Sequence, residues 1–275
     1  MYGSYIIPEF GFIAARNEPR SSGESRPQRI YSSRVYFANY ALPGKEEQAS
    51  PEIPLEPVDS LSSAALQLWK RYSRYGKLAL VNRGPTGRGF KICTLCGFAE
   101  PAPETPVGRR RRSRKSEAHI NPRTGRPCKG MIQTHHLGHE FITDVLELRF
   151  MGRLASNPDY NLWWSVLFAL LEGASQALGI RRDDLDGTLY PYQGGRIPAL
   201  VLFDNVPGGA GHVRRIANEL TPTFQTAWER VAHCTCGEET SCYECLRNFR
   251  NQPYHNHLQR GLARDFLRRI LGSEV

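Results

Sequence analysis

Four cysteines within twelve residues, Cys234-Thr-Cys236 and Cys242-Tyr-Glu-Cys245, constrain this chain more than any other feature. Four thiolates at this spacing can close a tetrahedral shell around one structural zinc ion, leaving no position for water. A doubly charged ion only partly offsets four thiolates, so backbone N–H donors are expected around the sulfurs, with Arg247 as a further helper. Gly237 is expected to ease the tight first turn. Disulfides, unpaired core cysteines and an iron–sulfur cluster are the alternatives. The odd total of seven cysteines, in a chain without a secretory signal pattern, argues against disulfides. His233 and His255 stand as reserve ligands.

The other three cysteines form a looser set. Cys93-Thr-Leu-Cys96-Gly97 reads as a zinc knuckle, and Cys128 is its natural third ligand. His119 precedes the turn-rich stretch Asn121-Pro-Arg-Thr-Gly-Arg-Pro-Cys128 and is the preferred fourth ligand, with His135, His136 and His139 as alternatives. A knuckle that has lost its metal is the competing reading. The spacing does not suit a catalytic zinc, because Glu140 directly follows His139 instead of lying between two helical ligands.

Around these clusters the chain reads as an α/β or α+β protein, zinc-stabilised, with an upstream knuckle insertion and a helical C-terminal part. Residues 1–57 are expected to be an extended segment and linker, with short strands at 2–7 and 31–40. Residues 58–155 form an α/β region with the knuckle inserted over 93–139. Residues 156–275 form a zinc-binding domain. Leu61 to Tyr75 reads as a helix, and Lys77 to Asn82, Phe90 to Cys93 and Phe141 to Phe150 as strands. Tyr160 to Leu178 is a strongly apolar helix that Gly179 can terminate. Pro198 to Phe203 reads as a strand, and helices follow at 209–220, from Thr221-Pro222 onward, and at 258–271. The chain's opening suits a surface laid across another domain or a partner, and the sequence can be one piece of a longer protein. No stretch is long enough to cross a bilayer, and the absence of a targeting pattern points to the cytoplasm.

A net charge of +9 favours contact with a polyanion. Arg109, Arg110, Arg111, Arg112, Arg114 and Lys115 place six positive charges in seven positions, suited to following phosphates beside the knuckle. A partner protein or plain solvation are the other readings of this tract. Arg260, Arg264 and Arg268 recur every fourth residue on the last helix, as a phosphate-facing stripe or an ordinary polar face. Catalytic groups are harder to find. Gly84 to Lys91 lacks the Gly-Lys-Ser/Thr ending of a phosphate loop. Gly208-Gly209-Ala210-Gly211 is better placed between strand and helix, but reads first as a packing turn. Asp204 ends a strand, a position where catalytic carboxylates occur, without companions for a nuclease.

The stretch Leu200 to Leu271, with Phe203-Asp204-Asn205-Val206-Pro207-Gly208-Gly209-Ala210-Gly211, the four cysteines, Asn251 and His257-Leu258-Gln259-Arg260, resembles the zinc-binding C-terminal domain of MrfA-type DNA-repair helicases. Ile7 to Phe12, the Cys93/Cys96 knuckle and Leu137 to Leu146 are more similar to DrmB, the helicase-associated component of the DISARM anti-phage system. That resemblance implies a DrmA-like helicase partner and DNA loaded onto the pair. It carries over Cys234, Cys236, Cys242 and Cys245 as structural zinc ligands. With no helicase ATPase motif in this sequence, the expected function is a non-catalytic, zinc-containing, DNA-binding and helicase-scaffolding subunit of a phage-defence complex. A purely structural interaction module and a metal-dependent nuclease are the alternatives.

Overall fold

The computed structural model describes residues 5–8, 33–41, 53–103, 119–192 and 195–272. In chain order its strands are Tyr5–Ile6 (β1), Ser33–Tyr40 (β2), Glu56–Pro57 (β3), Gln67–Asn82 (β4), Phe90–Cys93 (β5), Ala99–Pro101 (β6), His119–Ile120 (β7), Pro127–Cys128 (β8), Ile132–Met151 (β9), Leu185–Tyr190 (β10) and Ala199–Asp204 (β11). The helices are Tyr160–Leu178 (α1), His212–Asn218 (α2), Leu220–His233 (α3) and Arg260–Ile270 (α4). The fold is α+β, with a large, mainly antiparallel sheet. It divides into a larger unit, residues 35–79 and 141–275, and a smaller one, residues 1–34 and 80–140. The chain crosses between units within β4 and β9, and residues 155–156 fall inside the larger unit.

In the larger unit the sheet runs β10-β11-β9-β4-β2. Leu200 stands opposite Leu148, Leu202 opposite Leu146 and Phe203 opposite Val145 in the antiparallel β11–β9 ladder. The two-residue period sorts these strands between faces. Leu146, Leu148, Phe150, Leu200 and Leu202 join the main core with α1, α3 and α4, whereas Val145, Val201 and Phe203 pack with Phe37 and Tyr40 on the other side. Glu147 lies fully buried on that second face, where it accepts from Tyr40 and Arg149. Pairing with donors is what makes a buried carboxylate tolerable there.

Helix α1 forms over the residues its apolar run predicts. Asp159 caps it by accepting from the Asn161 N–H at 2.8 Å, and Gly179 ends it in the left-handed conformation at φ 60°. The helix is buried nearly all round. Trp163 is sealed between Phe150 and Phe266, and a Cβ on Gly173 would lie 2.6 Å from the Ala227 Cβ of α3. Among the described residues no helix is long and apolar enough to cross a membrane.

Three local expectations need correction. Leu61 to Tyr75 is not a helix: a 3-10 turn at Asp59–Leu61 leads into β4. Trp69, Tyr72 and Tyr75 favour a pleated surface, and Gly76 lets β9 come so close that a Cβ would meet Val145 Cγ1 at 2.2 Å. The charged run at 181–186 becomes a 3-10 turn, Arg182–Asp184, opening directly into β10. Thr221 does not cap α3, because the helix already begins at Leu220 with Glu219 before it.

Candidate metal centres

The thiols of Cys234, Cys236, Cys242 and Cys245 converge just beyond the C-terminal end of α3. Their sulfurs are separated by 3.5 Å (234–236), 3.4 Å (234–242), 3.7 Å (236–245) and 3.8 Å (242–245). Four sulfurs at about 2.3 Å from a tetrahedral zinc ion stand about 3.8 Å apart. A disulfide would need about 2.05 Å. The set therefore fits zinc and excludes paired cysteines. The Cys242 N–H points at the Cys245 sulfur at 3.2 Å, one of the donors a thiolate cluster needs.

The loop carrying these ligands is fastened from several sides. The Arg230 guanidinium donates to the Cys245 carbonyl at 3.0 Å. Arg260, only 6% exposed, donates to the carbonyls of Cys236 and Val231, each at 3.0 Å. The N–H groups of Arg260 and Gly261 bond the carbonyls of Thr240 and Glu238. Arg260 is therefore a buried brace beneath the cluster and not part of a phosphate-facing stripe. Arg264 is tied to Glu238 and Asp265, and Arg268 alone of the three is exposed. Four-residue spacing put these arginines on one helical face, but it did not say which neighbours that face meets.

Other expected helpers are placed elsewhere. Arg247 donates to Ser241 and Thr240 hydroxyls, not to sulfur. His255 bonds the Asn248 carbonyl and the Asn251 carboxamide, so it is no ligand. Asn251 is almost completely buried and knots the following loop, donating to the Leu246 carbonyl and accepting from the Asn248 N–H. Gly237 has only Thr240 Cγ2 near its Cβ direction, at 3.2 Å, and its φ is not left-handed.

Cys93, Cys96, His119 and Cys128 form the second set, all four ligand atoms lying within 4.8 Å of one another. Cys96 Sγ is 3.2 Å from His119 Nε2, and Cys93 Sγ is 3.9 Å from Cys128 Sγ. Strand pairing explains the convergence: His119 stands opposite Cys128 in the β7–β8 ribbon, and Cys93 opposite Ile132 where β5 meets β9. Burial opposes a thiolate at Cys93, but N–H groups of Cys96 and Leu95 bring its pKa down to about 6. The Gly130 N–H points at Cys128 Sγ at 3.4 Å, and a Cβ on Gly130 would sit 2.4 Å from Cys93 Sγ. Gly130 is thus as necessary to the centre as its ligands. The sequence holds no signal for it beyond its place two residues after Cys128. His135 instead contacts Gln133.

The best catalytic candidate is committed to structure. Asp204 is 0% exposed, and its carboxylate accepts from the N–H groups of Ala210 (2.6 Å), His212 (3.1 Å) and Val213 (2.9 Å). It anchors the start of α2 from the end of β11 and makes the glycine turn a packing device. Asp144 accepts from the Gly211 N–H at 3.0 Å, and Gly209 has no room for a side chain, since its Cβ would lie 2.5 Å from Asp144 Cγ. Burial pushes the Asp144 carboxyl above its ordinary range, and neighbouring Asp204 adds to the shift. The basic tract Arg109, Arg110, Arg111, Arg112, Arg114 and Lys115 lies outside the described residues.

Comparison with known proteins agrees with the metal geometry. Residues 166–246, which contain all four C-terminal cysteines, match the family described as the MrfA Zn-binding domain. Druantia protein DruE of Escherichia coli (strain UMEA 4076-1) is 28% identical over 242 residues, covering 81% of this chain. This chain spans 13% of that relative's length. The crystal structure of DUF1998 helicase MrfA bound to DNA gives a TM-score of 0.44 at 13% identity, covering 87% of this chain and 24% of that one. The same helicase bound to DNA and AMPPNP gives 0.37 at 11% identity, covering 74% and 23%. The chain carries an MrfA-like zinc-binding domain, with one four-cysteine cluster at 234–245 and a second metal cluster reaching from Cys93 to Cys128.

Proposed function

We propose that this chain is a non-catalytic, zinc-stapled component of a phage-defence assembly that binds DNA and holds a helicase in place. The observation that carries the reading is that both ligand sets are complete with four protein side chains. Zinc bound there organises the fold and keeps no open position for a reacting water. Asp204, with three backbone donors on its carboxylate, is spent on anchoring α2. The net charge of +9 supports a nucleic-acid partner.

The defence setting is supported by the relative's designation as a Druantia protein and by the DrmB-like stretches at 7–12 and 137–146. We infer the finer assignment to be a DrmB-like subunit working in the cytoplasm beside a DrmA-like, ATP-dependent helicase. Gly138 gives the DrmB-like stretch a structural meaning. Tyr5 and Ile6 pair with His136 and Leu137, and the Tyr5 ring occupies the space a side chain at 138 would need.

The test is a titration of labelled DNA with the purified, zinc-loaded chain across a salt series, alone and with the helicase subunit, alongside nuclease and ATPase assays. Salt-sensitive binding that strengthens with the helicase, without turnover, is expected. Absence of DNA binding under both conditions overturns the DNA-binding role. Metal-dependent cleavage that co-purifies with the chain overturns the non-catalytic one.

A further inference from the structure

Charge is divided very unevenly between the two units. The smaller unit holds seventeen Lys and Arg against seven Asp and Glu, a net +10, and the larger holds nineteen against twenty, a net −1. Residues 80–140 alone carry twelve basic against four acidic residues. The field that attracts a polyanion therefore belongs to the unit built on Cys93, Cys96, His119 and Cys128. The MrfA-like domain, in which the C-terminal cysteines lie, is close to neutral. Nine of those twelve basic residues are arginine, whose planar fork matches phosphate oxygens in pairs.

The described surface of this knuckle adds a second property. The β7–β8 ribbon turns at Asn121, whose carboxamide accepts from the N–H groups of Arg123 (2.9 Å) and Thr124 (3.3 Å), so Arg123 and Arg126 stand on a fixed turn. Arg123, Arg126 and Lys129 are exposed and have no ion-pair partner among the described residues. Three large apolar side chains are exposed on the ligand-bearing loops. Leu95, 76% exposed, lies between Cys93 and Cys96; Ile120, 55%, follows His119; Met131, 64%, comes three residues after Cys128. The loops of Leu95 and Met131 are joined, for the Thr94 N–H donates to the Met131 carbonyl at 3.0 Å. Exposed apolar groups beside cations without counter-charges suit a ligand that offers both anions and flat apolar surface.

A duplex keeps its bases stacked inside and would leave those apolar tips in water. A single strand offers phosphates and unstacked base faces together. We propose that the smaller unit's zinc knuckle binds single-stranded nucleic acid, with Arg123, Arg126 and Lys129 on phosphates and Leu95, Ile120 and Met131 against unstacked bases. This rests on the DNA-processing role above and states where, and in which form, the nucleic acid is held.

The experiment is fluorescence anisotropy of the full chain with a labelled oligothymidylate and with a duplex of the same length. The variants combine Arg123→Ala, Arg126→Ala and Lys129→Ala, or Leu95→Ser and Met131→Ser, and metal analysis confirms that each retains its zinc. The charge variant should reduce the salt slope for the single strand by about 2, at about 0.7 for each phosphate no longer neutralised. The apolar variant should lower single-strand affinity by about tenfold, a stacked base being worth about 1–3 kcal/mol, and leave the slope unchanged. Wild-type binding that neither variant alters by more than about twofold overturns the inference and leaves the broader function standing. Duplex binding as tight as single-strand binding, with the apolar variant silent, also overturns it, as does an apolar variant that loses only the helicase partner. A wild-type chain that binds neither probe removes the broader DNA-binding role as well.

Discussion

Replacing Arg260 separates a brace from a phosphate contact. Its guanidinium, on a residue 6% exposed, spans the carbonyls of Cys236 and Val231 at 3.0 Å each. Hydrogen bonds involving a charged group contribute about 1.5–3 kcal/mol each, and two on one side chain are not fully additive. Arg260→Ala should therefore cost about 3 kcal/mol, borne by the loop that holds Cys234 and Cys236. Zinc with four thiolates is left with a double negative charge, which the nearby cation also offsets. If the whole cost falls on the metal-bound state, zinc affinity at this site drops about 150-fold. Chelator competition, reading zinc release from the two centres, should show the C-terminal site weakened and the upstream site unchanged. Arg260→Lys should recover little, since an ammonium group lacks the fork that reaches two carbonyls. Zinc retention within about threefold of wild type, together with a reduced salt slope for DNA, would refute the brace and restore Arg260 as a phosphate contact.

Further outcomes follow from the same geometry. Gly130→Ala should lower zinc content from two ions per chain to one, because its Cβ would meet Cys93 Sγ at 2.4 Å. Gly237→Ala should keep both, and metal analysis distinguishes the two. Asp204→Ala leaves three N–H groups without their acceptor; at about 1 kcal/mol each it should lower Tm by roughly 10 °C, measured by calorimetry. The Asp144 pKa is raised in the fold, chiefly by burial, so its contribution is present at acid pH and lost as pH rises through the raised value. Asp144→Asn should therefore gain in Tm relative to wild type as pH increases from the acid range toward neutrality. A pH-independent difference would contradict that assignment.

The sequence displayed those elements whose signals are local. The apolar run of α1 ends at a glycine that adopts the left-handed conformation, and the C-terminal cysteine spacing is itself the geometry of the site. His119 was legible because a short return to Cys128 brings them opposite one another. β4 was not, since Leu61, Leu66 and Leu68 are compatible with more than one period. The deciding approach, Gly76 against Val145, spans a long stretch of chain. The Asp144–Gly211 hydrogen bond is equally distant in sequence, so nothing beside Asp204 announced why its loop needs glycine at 209. Arg260 was misplaced for a related reason: helical spacing describes a face and says nothing about what covers it.

Strands β4 and β9 are neighbours in the larger unit's sheet, and the chain leaves that unit after Ala79 and returns at Phe141. Residues 80–140 are thus a cassette set between two adjacent strands, which a short turn can join without shifting the β11–β9 register. Removing the cassette takes away twelve basic and four acidic residues and brings the chain from +9 to +1. Polyanion affinity can then be gained, lost or retuned as one transplantable part, while the fold that carries the MrfA-like domain keeps its own core.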